Sequence, residues 1–77
     1  MKNLTMFHKL MAILGTRNSK IIRKEDGSII RLSCGSDEYG DYARIEQEIE
    51  DNKLKVQTFY KSDVVLITYR NNYLRKG

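Results

Sequence analysis

The short gaps between patterned segments constrain this chain more than any motif in it. Glu25-Asp26-Gly27, Asp51-Asn52 and Ser62-Asp63 are turn-forming clusters, and the segments between them alternate apolar and polar residues. Gaps of that length join antiparallel neighbours, because a parallel connection needs a crossover of about a dozen residues or more. Residues 20–24 therefore fold back on residues 28–32. A three-residue turn with Gly27 in the left-handed region pairs Ile22 with Ile30 and Arg23 with Ile29, gathering Ile22, Ile30, Leu32 and Cys34 on one face. The competing two-residue Asp-Gly turn sets Arg23 against Ile30.

Residues 37–51 carry two patterns. Tyr42, Ile45 and Ile49 fit helical spacing, whereas Ala43, Ile45, Gln47 and Ile49 alternate with Arg44, Glu46, Glu48 and Glu50 at period two. Joined to residues 53–60 through Asp51-Asn52, the strand reading pairs Glu50 with Lys53, Ile49 with Leu54 and Glu48 with Lys55. Opposite charges then meet on one face and apolar residues on the other. The strand reading is preferred; a helical 37–51 gives two helices and a smaller sheet. Beyond Ser62-Asp63, Tyr60 is expected to face Val65, Thr58 to face Ile67 and Val56 to face Tyr69. Residues 64–67, apolar on both sides, read as the most buried strand.

Before the strands, residues 4–14 suit a helix, with Asn3 as N-cap and Gly15 as the terminating glycine. At about 100° per residue its apolar set covers roughly half the circumference, more than one sheet face conceals. The expected fold is α+β, a single domain over 1–77, with an N-terminal helix and a five-strand antiparallel meander. The sheet either curls into a small barrel capped by the helix or stays open beneath it.

A chain of 77 residues supports one small core. The single Cys34 excludes an intrachain disulfide, and no cysteine–histidine cluster suggests a zinc site. The N-terminal apolar run is broken by His8 and Lys9, which is too short for a secretory or membrane-spanning segment, so a cytoplasmic protein is expected. One His and one Cys with no oriented base beside either speak against nucleophilic catalysis, and no enzyme, cofactor or metal is expected. Glu46, Glu48 and Glu50 read as a solvated ladder against Lys53 and Lys55. The Gly35 to Gly40 stretch, with Tyr39, reads as an exposed acidic loop.

Charge is sorted into blocks. Residues 1–24 hold six cations and no acid, residues 37–51 seven acids against Arg44 alone, and residues 52–77 six cations against Asp63. Such blocks set partners rather than fold. Lys55, Phe59, Lys61, Arg70, Tyr73, Arg75 and Lys76 interleave cations with rings, the composition of a single-stranded RNA or DNA binder. The expected function is a non-enzymatic binding module of that kind. The alternative is a small protein-binding regulator or inhibitor, using the acidic band and the surplus helix surface. Leu4, Met6, Met11 and Ile13 mark that surplus, which suggests a partner groove or a homodimer through the helix. No membrane partner is expected.

Overall fold

The computed structural model describes residues 5–74. One helix, α1 (Met6–Leu14), precedes five strands: β1 (Ser19–Arg23), β2 (Ile29–Asp37), β3 (Gly40–Glu50), β4 (Lys53–Tyr60) and β5 (Val65–Asn71). All are antiparallel to their neighbours in the order β1-β2-β3-β4-β5. The meander and the α+β class are as expected. The sheet does not close into a barrel, so β1 and β5 are both edges.

The helix begins later than its apolar pattern suggests. Thr5 is the N-cap, its hydroxyl accepting from the His8 N–H at 3.3 Å. Asn3, the expected cap, lies outside the described residues. Gly15 ends the helix at φ 64, its N–H donating to the Met11 carbonyl. α1 lies across β2, β3 and β4. Phe7, Leu10 and Leu14 pack there with Leu32, Ala43 and Phe59, flanked by Met11, Ile22, Ile30, Cys34 and Ile45.

The first hairpin has the preferred register of the three-residue turn, Ile22 opposite Ile30 and Arg23 opposite Ile29, with Gly27 at φ 87. Residues 40–50 are strand, not helix. The stretch read as a loop is mostly strand too, since β2 runs to Asp37, which pairs with Gly40 across a two-residue turn. Gly35 leaves room there for the Tyr42 ring: a Cβ on it would stand 2.7 Å from the Tyr42 hydroxyl and push that side chain aside.

Two registers differ from expectation. Glu50 does oppose Lys53, but Ile49 is bulged out, so Glu48 opposes Leu54 and Gln47 opposes Lys55. The Glu48–Lys55 pair does not exist. In the last hairpin the turn spans Lys61-Ser62-Asp63, with Asp63 at φ 73, and Phe59 rather than Tyr60 opposes Val65. Thr58 thus opposes Leu66, and Val56 opposes Thr68. A one-residue slip exchanges the faces of every side chain beyond it. Leu54, Val56, Thr58 and Tyr60 consequently share the face of Glu46, opposite the helix, and all four are buried.

That second face has a polar core where a solvated ladder was expected. Glu46 is 1% exposed and accepts from Arg31 at 2.9 Å and from the Tyr73 hydroxyl. Glu48 accepts from the Ile29 N–H (2.6 Å) and the Asn72 amide (2.5 Å). The Leu74 N–H donates back to the Asn72 side chain at 3.0 Å. Residues 72–74 therefore form a strap that crosses from β5 to β3 and β2. Of the expected ladder only the exposed Glu50–Lys53 pair, at 3.4 Å, is left.

Candidate functional site

The strand expected to be most buried is the most exposed. Every residue of β5 is exposed. Val64, Val65, Leu66, Ile67 and Tyr69 retain 47–60% of their surface, although they are apolar on both faces. The reason is topological. A strand apolar on both sides is buried only where something covers each side and each flank. β5 ends the meander, α1 lies mainly over β2, β3 and β4, and the strap leaves β5 toward β3.

Its backbone is equally open. The Tyr60 N–H donates to the Val64 carbonyl at 2.9 Å, and at the far end the Asn72 N–H donates to the Asn52 carbonyl at 2.9 Å. Antiparallel alternation between these fixed points turns the peptide groups of Leu66, Thr68 and Arg70 toward β4. Those of Val65, Ile67, Tyr69 and Asn71 point away from the sheet. The opposite edge differs in kind: β1 is five residues, Ser-Lys-Ile-Ile-Arg, with Lys20 and Arg23 along it. Short strands and edge cations discourage strand pairing, whereas long apolar edges invite it. Between Val65 and Asn71 the only charge is Arg70.

Among the recesses that flank β5, one of about 490 Å³ lies at its Asn71 end between Asn52, Lys53, Tyr69, Arg70 and Asn71, and two lie at its Val65 end. On the helix side, about 120 Å³ lies between Thr5, Met6, Phe7, Phe59, Tyr60, Asp63 and Val65. On the other side, about 390 Å³ lies between Tyr39, Tyr60, Ser62, Val64 and Leu66. The last of these has an aromatic wall. Tyr60 meets Tyr39 and Tyr42 edge-on at centroid distances of 6.1 and 5.8 Å. Its hydroxyl donates to Asp37 at 2.8 Å, a bond to a carboxylate that raises the Tyr60 pKa. Arg44 stacks over Tyr42 at 4.6 Å and donates to Thr58, so both residues are engaged within the sheet.

The cations and rings singled out in the sequence do not converge. Phe59 is in the core under α1. Lys55 is half-buried on the helix side of β4, Lys61 is exposed in the last turn, and Arg70 is exposed on the other face of β5. Tyr73 is tied to Glu46 and Arg31. Burial and the Glu46 carboxylate raise its pKa. Arg31 is held as the cation because Tyr73 and Glu46 outweigh the burial that opposes its charge. Arg75 and Lys76 lie outside the described residues. On the helix, Met6 and Ile13 are 40% and 50% exposed, Met11 packs against the core, and Leu4 lies outside the described residues.

Among the described residues no group of three or more His, Cys, Asp or Glu is placed to hold a metal ion. Among the same residues no helix is long and apolar enough to cross a membrane. Comparison of the chain with protein-family models, with curated proteins and with solved structures finds no match.

Proposed function

We propose that this chain is a non-enzymatic protein-binding module whose working surface is the free edge of β5. The observation that carries this reading is the contrast between the two edges: β1 is short and cationic, while β5 is longer, apolar on both faces and exposed throughout. An extended segment laid against β5 gains main-chain hydrogen bonds from Val65, Ile67, Tyr69 and Asn71. Its side chains cover Val65, Ile67 and Tyr69 on one face and Leu66 on the other, the mode known as strand addition. Within the acidic band expected to meet a partner, Glu46 and Glu48 have no part in this, because they are engaged under the strap.

The nucleic-acid reading has weaker support. Stacking needs rings free among cations; of the rings singled out in the sequence Phe59 is in the core and Tyr73 is held by its hydroxyl, which leaves Tyr69 beside Lys53 and Arg70 as a single exposed platform. Arg17, Arg23 and Lys24 beside β1 are exposed cations without an aromatic neighbour in sequence.

The test is titration of the isotopically labelled chain with an acetylated, amidated peptide Glu-Val-Thr-Val-Thr-Val-Glu, followed by amide chemical shifts. Saturable shifts concentrated on Val65, Ile67, Tyr69 and Asn71 are expected. Saturable shifts centred on β1 or α1, or none at millimolar peptide, would overturn the reading.

A further inference from the structure

We infer that the strand received by this edge is β5 of a second copy, paired antiparallel about a two-fold axis through Ile67. The inference rests on the reading of β5 as a docking edge and names its occupant. A two-fold axis perpendicular to a sheet must pass between a residue and its own copy. An axis through Ile67, midway between the outward-pointing Val65 and Tyr69, makes Ile67 the hydrogen-bonded pair at the axis. The register follows: Val65 opposes Tyr69 of the second copy, Leu66 opposes Thr68, and Val64 opposes Arg70.

This register is self-complementary in charge and in shape. Within residues 62–71 the only charges are Asp63 at one end and Arg70 at the other. Antiparallel self-pairing brings opposite signs to the same end, twice by symmetry, and sets no like charges against each other. Directly opposed residues point to the same face. Tyr69 of the second copy therefore stands on the helix side beside Val65, at the recess walled by Met6, Phe7 and Phe59. Arg70 of the second copy stands on the other side beside Val64, at the recess walled by Tyr39 and Tyr60. A guanidinium over an open tyrosine face is a favourable contact, and Tyr39 is 71% exposed. Each of these two recesses thus receives the one large side chain the register delivers to it. The exposed helix residue Met6 is at the margin of the same surface, so part of the surplus apolar helix face is covered by the same event. β1 offers no equivalent fit, since its Lys20 and Arg23 find no acid on β5.

The register is tested by cross-linking the full-length chain in a Cys34→Ser background. Hydrogen-bonded antiparallel partners have Cα atoms about 5.5 Å apart, within the span of a disulfide, about 4.4–6.8 Å. Ile67→Cys should therefore form a covalent dimer under mild oxidation with copper phenanthroline, and Val65→Cys should not. In sedimentation equilibrium the wild type should be a dimer at micromolar concentration. Ile67→Pro should raise its dissociation constant at least about 100-fold, because it deletes an outward N–H and leaves the bonds to β4 intact. Ile67→Lys, which needs no backbone change, should do the same with the circular dichroism of the sheet retained.

Equal cross-linking at both positions, a dimer unaffected by Ile67→Lys, or rings and filaments in place of dimers would overturn the inference. A wild type that stays monomeric to about 1 mM, a range where specific contacts are populated, would overturn it too. If that monomer still takes the synthetic peptide on its outward amides, the docking edge stands and only the second copy is wrong. If it takes neither, both fall.

Discussion

Removing Arg31 should cost more than neutralising Glu46, although the two form one ion pair. The partners are unequally buried: the Glu46 side chain is 2% exposed and that of Arg31 is 34% exposed. In Arg31→Met the Glu46 carboxylate stays beneath the strap with Tyr73 as its one remaining side-chain donor among the described residues, and orphaning a buried charge costs about 3–5 kcal/mol. Glu46→Gln keeps an acceptor for Tyr73 and leaves a cation that water already reaches. The loss is then closer to a hydrogen bond to a charged group, about 1.5–3 kcal/mol. A domain of this length has a total stability of roughly 4–12 kcal/mol. At about 4–8 °C per kcal/mol, Arg31→Met lowers the melting temperature by at least about 12 °C. The double variant should be more stable than Arg31→Met alone, since it holds no orphaned charge. Urea unfolding followed by circular dichroism, with all three variants and a common slope, measures this. A cost for Arg31→Met below about 1 kcal/mol, the value of an exposed pair, would refute the reasoning, as would a double variant less stable than either single one.

Two further expectations follow from the same contacts. Tyr60 and Tyr73 have raised pKa values, so their folded states hold the phenolic proton more tightly than the unfolded chain does. Their contribution is fully present below the ordinary tyrosine pKa of about 10 and is lost as pH rises through the folded values. Melting temperature should fall above about pH 10, and Tyr73→Phe should shrink that fall; an unchanged profile in the variant would exclude Tyr73 as a source. Anisotropy of a labelled single-stranded RNA should show only weak binding at about 50 mM salt, vanishing by about 200 mM as charge-only contacts do. Tyr69→Ala should leave it unaltered, and tight binding that Tyr69→Ala abolishes would restore the nucleic-acid reading.

Local chemistry made part of this fold legible in the sequence. Gly27 marks the turn, because glycine takes the left-handed position without cost, and the register of β1 and β2 follows from the shared face of Ile22, Ile30, Leu32 and Cys34, which favours three turn residues over two. The period-two alternation of residues 43–50 correctly outweighed the helical preference of its glutamates. The other two hairpins resisted because their irregularities carry no comparable mark. Ile49 bulges beside an ordinary Asp51-Asn52 turn, and Asp63 takes φ 73 where glycine would have announced it. Each adds one residue to a connection, and one residue changes which face Leu54, Val56 and Leu66 occupy. Tyr73 looked like a free ring because its partners, Glu46 and Arg31, are 27 and 42 residues away in sequence. The exposed edge was within reach: the last strand of a meander is an edge, and residues 64–67 are apolar on both faces.

Amide hydrogen exchange along β5, measured residue by residue at several protein concentrations, tests the docking edge most directly. In dilute solution Leu66, Thr68 and Arg70 should be protected by β4, and Val65, Ile67, Tyr69 and Asn71 should exchange at rates near those of open chain. Raising the concentration, or adding the synthetic peptide, should slow the second set and leave the first unchanged. Outward amides that exchange freely under every condition would contradict the account. So would outward amides already protected in the dilute monomer, because β5 would then not be a free edge.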